Sequence, residues 1–276
     1  MMIYLKKFSL DFVWVNKMVL FDTHCHLNAD NFKEDIEGYL KRAQDKGVSY
    51  FAVVGWDLVS SKKAIEIASK NHGVYAVIGI HPSDCLTATA ENLLELEALL
   101  TQNNVVALGE IGLDYYWHKE AAQHEIQKSW FIKQINLANK YNLPIVVHMR
   151  DAAQETLELL KDHPVNKGGI MHCFSSSSEM ALEFIKLGFY ISLGGPVTFK
   201  NAKEPKRVAK EVPLEKLLIE TDSPFLAPHP NRGKQNESSY LPLVLQEIAE
   251  IKDITPNSLA KQLLENSFKV FHVEHQ

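Results

Sequence analysis

Three kinds of feature are scarce or missing in this chain of 276 residues. It has only three cysteines, Cys25, Cys85 and Cys173, and no C-x-x-C pair, which argues against a disulfide framework and a zinc ribbon. No apolar run is long and uncharged enough to cross a bilayer. The formal net charge of -5 argues against sequence-blind coating of nucleic acid but leaves a local phosphate site open. We expect a globular protein of a reducing, cytoplasmic compartment, with no membrane partner.

Eight short apolar runs rich in β-branched residues predict the fold. The runs are continuous rather than alternating, which is typical of parallel strands buried on both faces, and segments with helical spacing separate them. The predicted strands are 19–23, 50–54, 74–78, 105–108, 144–147, 169–171, 189–193 and 217–220. Eight strand–helix units predict an α/β protein with a single (β/α)8 TIM barrel. An open doubly wound sheet would have similar local patterning.

The predicted barrel domain spans residues 18–276, and residues 1–17 are expected to be either an N-terminal extension or the result of an upstream start. Lys6 and Lys7 precede an apolar run that resembles a signal peptide, but Asp11 interrupts the run and no small-residue cleavage site follows. Met18 stands directly before the first predicted strand. No linker or internal repeat divides the rest of the chain.

Metal-ligating residue types recur where predicted strands end. His24 and His26 are one residue apart, so strand alternation turns both side chains to one face, with Asp22 below them. Four further residues of this kind follow later apolar runs: Glu110, His148, His172 and Asp222. Only a closed ring brings the ends of strands 1, 4, 5, 6 and 8 together, which favours the barrel over the open sheet. In barrels this face carries the chemistry.

These six side chains predict a metal centre. Imidazole and carboxylate together suit divalent ions such as Zn and Mn, and carboxylates also accept Mg. Each residue alone has an ordinary structural interpretation, and the joint placement carries the prediction. Six ligands exceed what one tetrahedral ion needs, so we expect two divalent ions (Mg, Mn or Zn) bridged by Glu110. Such a pair polarises a phosphoryl oxygen and lowers the pKa of a bound water.

Six blocks of the sequence resemble, in order, those of the TatD family of metal-dependent deoxyribonucleases. They are 22–27 (DTHCHL), 79–82 (GIHP), 109–115 (GEIGLDY), 144–152 (PIVVHMRDA), 172–175 (HCFS) and 220–228 (ETDSPFLAP), the last continuing to residue 237. The similarity spans residues 18 to about 270. Two loop positions depart from the family pattern: Ser176 stands where a glycine is usual and Ser238 where a proline is usual. These departures bear on substrate preference rather than on the metal ligands.

The resemblance implies a TIM barrel of the amidohydrolase-like superfamily and assigns roles to matching residues. His24, His26 and Asp222 would hold one ion, Glu110 would bridge, and His148 with His172 would hold the second. Asp222 also matches the carboxylate that takes a proton from the attacking water, so Asp222 and Glu110 are the expected catalytic residues.

Four further residues are expected to bind substrate. The resemblance suggests a phosphate or leaving-group contact for His81, which follows the third predicted strand. Arg150 lies two residues beyond His148, and Arg232 and Lys234 lie in the loop after strand 8. Arginine offers bidentate geometry to phosphate oxygens. The aromatic side chains at 115–117 either stack on a splayed base or pack against the barrel rim.

The expected function is hydrolysis of DNA phosphodiester bonds (an EC 3.1-type deoxyribonuclease) by a metal-activated water. The expected substrate is a single-stranded end, cleaved as a 3′–5′ exonuclease does. The same metals would serve a carboxylic ester or amide hydrolase, such as an aminoacyl-ester deacylase or a lactonase. A non-catalytic binding scaffold would be expected to lack a ligand, and none is missing. The sequence indicates no oligomeric state.

Overall fold

A computed structural model describes residues 18–274 of the chain. Eight parallel strands form one sheet in which the spatial order follows the sequence order. The strands are β1 (Leu20–Cys25), β2 (Val48–Val54), β3 (Val74–Ile78), β4 (Val105–Asp114), β5 (Ile145–Arg150), β6 (Gly169–Met171), β7 (Phe189–Leu193) and β8 (Leu217–Ile219). The proposed extension at residues 1–17 lies outside the described residues.

Nine α-helices alternate with or follow these strands in the described part of the chain. They are α1 (Ile36–Asp45), α2 (Leu58–Lys70), α3 (Ala90–Leu99), α4 (Ala121–Tyr141), α5 (Ala153–Asp162), α6 (Ser178–Lys186), α7 (Lys203–Glu211), α8 (Leu241–Lys252) and α9 (Pro256–Phe271). Short 3-10 turns occupy Asp84–Leu86, Gly195–Thr198, Leu214–Lys216 and Ser238–Tyr240. Within residues 18–274, none of the helices combines the length and apolarity needed to span a membrane.

Polar contacts close the sheet between β8 and β1. The Thr23 hydroxyl donates to the Ile219 carbonyl at 2.9 Å, and the Asp222 N–H donates to the His24 carbonyl at 2.9 Å. The His26 N–H donates to the Ser223 carbonyl at 2.8 Å. The ring is therefore closed beside the predicted ligands, so the TIM-barrel prediction is confirmed and the open-sheet alternative is wrong.

Apolar packing fills one end of the barrel and leaves the other end for polar residues. Phe21 projects into the barrel interior and packs against Phe271 of α9, with ring centroids 5.4 Å apart. Phe268 of the same helix meets Phe21 edge-on at 5.9 Å. Because α9 covers the amino ends of the strands, the carboxyl ends form the open mouth at which a TIM barrel carries its chemistry.

Two strands continue further than the apolar runs predict. β4 extends to Asp114 and β5 to Arg150, and the ladder between them pairs Gly112 with His148. A side chain at Gly112 would approach the His148 carbonyl oxygen to 2.0 Å, and the φ of +142° also favours glycine. Glu110 and His148 consequently lie inside strands rather than after them. Pairing with Gly112 holds His148, whereas Glu110 lies at an irregularity of the β4–β5 register, where its N–H donates to the Gly55 carbonyl at 3.1 Å.

Candidate metal centre

Four of the predicted ligands form a first cluster at the barrel mouth. His24 Nε2 lies 3.2 Å from His26 Nε2 and 3.5 Å from Glu110 Oε2. His26 Nε2 lies 3.4 Å from Asp222 Oδ1. Ligands bound at about 2.1 Å around one tetrahedral ion are separated by about 3.4 Å. These three separations therefore match those between the ligands of a single divalent ion.

A second cluster shares Glu110 with the first. Glu110 Oε1 lies 2.6 Å from His148 Nδ1 and 2.8 Å from His172 Nε2, and the two imidazole nitrogens are 3.5 Å apart. The two oxygens of one buried carboxylate thus face two different groups of imidazoles. This is the arrangement that a bridging ligand between two ions requires.

Three of the four remaining imidazole nitrogens face oxygen atoms, and the fourth, His24 Nδ1, is buried without a hydrogen-bond partner. His26 Nδ1 is 2.9 Å from the Val54 carbonyl, and His148 Nε2 is 2.9 Å from Asp114 Oδ2. His172 Nδ1 is 3.4 Å from Glu220 Oε1. In His26 and His148, an N–H directed at the oxygen leaves the opposite nitrogen with its lone pair toward the cluster, as in histidines that bind metals. The donor set and its tautomers therefore fit divalent ions.

Buried charges in the centre hold one another in their ionised forms. Burial alone would raise the pKa of Glu110, but the charge of the His172 imidazole and the hydrogen bonds from His148 and His172 hold that pKa well below its ordinary value. Burial likewise opposes ionisation of Asp222, and its hydrogen bond to His26 and the nearby imidazoles keep its pKa low. Burial lowers the pKa of His172, whereas Glu110 raises it to well above normal. Protons on these imidazoles consequently compete with any bound cation.

His81 lies beside the second cluster in a form suited to donate a hydrogen bond. Burial and the neighbouring His148 lower its pKa to about 3, so the ring is neutral. The Ser83 N–H donates to His81 Nδ1 at 3.1 Å, which places the ring proton on Nε2, 3.7 Å from Glu110 Oε1. His81, Asp114 and His148 also lie close enough together to form a third metal group. The proton on Nε2 instead makes His81 a donor toward the cavity.

The clusters open into a cavity of about 940 Å³ whose lining includes one of the three predicted cations. Arg150 lines the cavity, with its guanidinium carbon 3.9 Å from the centre of the Tyr116 ring. Arg232 lies over the Phe199 ring at 4.4 Å. Neither Arg232 nor Lys234 is among the described residues that line the cavity. Their loop reaches the mouth of the barrel, but these two side chains lie away from the clusters.

Buried carboxylates around the ligands are a part of the centre that the sequence prediction missed. Asp114 and Glu220 are 1% and 0% exposed and face the imidazoles of His148 and His172. The signal for Glu220 is its position two residues before the predicted ligand Asp222, although β8 ends at Ile219 and strand alternation reaches neither residue. Burial raises the pKa of a third carboxylate, Asp22, to about 6, although it accepts hydrogen bonds from Thr221.

The cavity has further lining residues that the prediction missed or misplaced. Trp56, Lys63 and Phe225 contribute to the lining, and no ligand-type motif marks them. Strand alternation would turn Cys173 to the face opposite His172, but its side chain is half-buried and lines the cavity. The reason is that β6 ends at Met171 and Cys173 has a φ of +42°, so strand alternation does not reach it.

Comparison with known proteins agrees with this architecture. The family described as "TatD related DNase" matches residues 21–272. A relative from Bacillus subtilis, named as the uncharacterized metal-dependent hydrolase YabD, is 47% identical over 256 residues, covering 92% of this chain and 100% of the relative. The similarly named YcfH from Escherichia coli K12 is 35% identical over 261 residues, covering 93% and 97%. The crystal structure of the Escherichia coli TatD homolog YjjV superposes with a TM-score of 0.88 at 31% identity, covering 92% of this chain and 98% of that one. The chain therefore belongs to the TatD family of metal-dependent hydrolases.

Proposed function

We propose that this hydrolase cleaves phosphodiester bonds of DNA and removes nucleotides from single-stranded 3′ ends. The observation that carries the proposal is the placement of Glu110, whose two carboxylate oxygens face separate imidazole clusters. Two divalent ions bound there would polarise a phosphoryl oxygen, lower the pKa of an attacking water and neutralise the leaving oxygen. The family's description as DNases supports DNA as the substrate.

We infer that Asp222 accepts the proton that the attacking water loses during hydrolysis. Its side chain is 13% exposed, so it borders both the first cluster and the cavity. Because its pKa lies below the ordinary value, it is ionised at neutral pH and can accept a proton from the attacking water. A general base must lie within hydrogen-bond reach of that water, which the position of Asp222 beside His26 and His24 allows.

His81 and Arg150 are suited to receive the phosphate. The neutral His81 ring directs its Nε2–H toward Glu110 and the cavity, so it donates to a phosphoryl or leaving-group oxygen without adding positive charge. The exposed guanidinium of Arg150 supplies that charge at the cavity wall. We infer that Arg150 contributes more to substrate binding than Arg232 or Lys234, since it lines the cavity.

The test is cleavage of an end-labelled single-stranded DNA, resolved by length, with Mg²⁺, Mn²⁺ or Zn²⁺ and with EDTA. We expect a metal-dependent ladder that shortens from the 3′ end, and its loss in Glu110→Ala. Circular dichroism of Glu110→Ala should remain that of the parent, because the residue lies at the barrel mouth. No cleavage by folded, metal-loaded protein would contradict the proposal, and hydrolysis of aminoacyl esters or lactones would then identify the alternative class.

A further inference from the structure

Two large aromatic side chains stand exposed on opposite sides of the metal centre. Trp117 is 66% exposed and Phe225 is 59% exposed, and both line the cavity. Trp117 follows β4 and Phe225 follows β8, which are four strands apart in a ring of eight. The two rings therefore project from opposite walls of the barrel mouth, with the Glu110 clusters between them.

Each aromatic residue is held by its backbone to a residue of the metal centre. The Trp117 N–H donates to Asp114 Oδ1 at 2.9 Å, while the other oxygen of Asp114 faces His148. The Phe225 N–H donates to the Asp222 carbonyl at 2.9 Å. These bonds fix where the rings emerge relative to the ligands. Two exposed rings fixed in this way favour a binding role over incidental surface exposure.

Positive charge accompanies one of these rings. The guanidinium carbon of Arg150 lies 5.6 Å from the Trp117 ring centre and 3.9 Å from that of Tyr116. A planar ring beside a guanidinium, next to a predicted phosphate site, matches the repeating unit of a nucleic-acid strand, which has a flat base and an anionic phosphate. Sites for single strands use this combination of stacking rings and cations.

We propose that Trp117 and Phe225 stack on unpaired bases on the two sides of the phosphodiester that the Glu110 clusters receive. This inference rests on the proposed function and adds that the enzyme binds bases as well as phosphates. Every base has a π face, so recognition would tolerate any sequence. Bases inside a duplex are already stacked on their neighbours, so the two rings would select unpaired segments.

The test measures binding separately from cleavage. Metal-loaded protein is titrated with a phosphorothioate strand of eight thymidines, which resists cleavage, and with an abasic phosphorothioate strand of equal length. We expect Trp117→Ala and Phe225→Ala each to weaken binding of the thymidine strand about 5- to 150-fold, with no change for the abasic strand. Trp117→Phe and Phe225→Tyr should restore most of the affinity. Leu94→Ala, which removes an exposed side chain outside the cavity lining, should bind as the parent does.

Failure of this proposal is distinguishable from failure of the proposed function. Equal affinity of the alanine variants and the parent for the thymidine strand would overturn the stacking proposal, even if the parent cleaves DNA. An equal loss for the abasic strand would also overturn it, because backbone contacts or altered folding would then explain the effect. Base-dependent binding through both rings, in a protein that cleaves no DNA, would support stacking and reject the nuclease activity.

Discussion

Asp114 determines how one ligand imidazole faces the metal centre. Its Oδ2 accepts the His148 Nε2–H at 2.9 Å, and the nearly complete burial of Asp114 keeps water from competing for that bond. The carboxylate thereby selects the tautomer that leaves His148 Nδ1 free to bind a cation. Loss of such an outer contact typically lowers metal affinity about 10- to 100-fold.

Asp114→Asn should weaken binding of a divalent ion by about 10- to 100-fold, because it removes the negative charge that orients and polarises His148. The measurement is competition with a chromophoric chelator, with Asp30→Asn as the matched control. Asp30 lines the same cavity, but its carboxylate pairs with Lys63 at 3.7 Å. Equal metal affinity of Asp114→Asn and the parent, in protein with a parental thermal melt, would contradict this role.

Asp84 should make stability depend on pH in metal-free protein. Burial, followed by repulsion from Asp57 and Glu110, raises its pKa from 3.8 to about 6. The folded state therefore holds the proton more tightly than the unfolded state, and this contribution to stability is lost as the pH rises from about 4 to about 6.

Urea unfolding should show that Asp84→Asn gains stability over the parent as the pH rises across this interval. The side chain is 39% exposed, so the gain should be below about 1 kcal/mol. A difference between the two proteins that is the same at pH 4 and pH 7 would contradict the assignment.

At the scale of elements, helix α4 holds the ends of two strands through buried glutamines. Gln134 accepts the Ile80 N–H at 2.8 Å and donates to the Ile80 carbonyl at 3.0 Å. Gln127, two turns earlier, makes the same pair of bonds to the backbone of Asp114. One helix thus sets the positions of both His81, which follows Ile80, and the carboxylate that orients His148.

Gln134→Leu should lower the free energy of unfolding by about 2–4 kcal/mol, because it leaves a buried N–H and a buried carbonyl without partners. Equilibrium urea unfolding measures the change. Gln154→Leu replaces an exposed glutamine of α5 and should change stability by less than about 0.5 kcal/mol. If the free energy of unfolding fell by the same small amount in both variants, the Gln134 hydrogen bonds would not contribute measurably to the stability of the barrel.

Hydrophobic patterning predicts the strands and helices well. It does not predict where a strand continues past its apolar run, nor which polar contacts orient the ligand side chains. The apolar runs predict all eight strands, and the segments with helical spacing between them predict the helices that the structure has there. The run at 105–108 ends at a glycine, and Glu110 and Gly112 interrupt the residues beyond it, so no continuous apolar run marks the continuation of β4 to Asp114. The carbonyl of Val54, which orients the His26 ring, cannot be predicted from side-chain patterns, because every residue has a backbone carbonyl. The six ligand types could be found because each lies near a strand end, whereas the partners that set their tautomers depend on tertiary packing.

At the scale of the whole molecule, the predicted ligands cross the seam that closes the barrel. Neighbouring strands from β1 to β8 pair along ladders of three or more residue pairs. In the described chain, β8 and β1 are instead joined by an isolated bridge between Cys25 and Ser223. His24 and His26 belong to one side of this seam, and Asp222 belongs to the other. An ion in the first cluster would therefore link β1 to the segment after β8, across the strand pair with the fewest backbone contacts.

Removing the metal should consequently loosen the seam more than the rest of the barrel. An ion present at 100 times its Kd stabilises the fold by about 2.7 kcal/mol, so EDTA should lower Tm. Hydrogen exchange should then rise more in residues 20–26 and 217–223 than in β2 and β3. His26→Ala should reproduce this pattern with metal present, because it breaks the first cluster, whereas His148→Ala should leave the seam protected. A uniform rise over all strands would show that metal binding stabilises the barrel without acting through its seam.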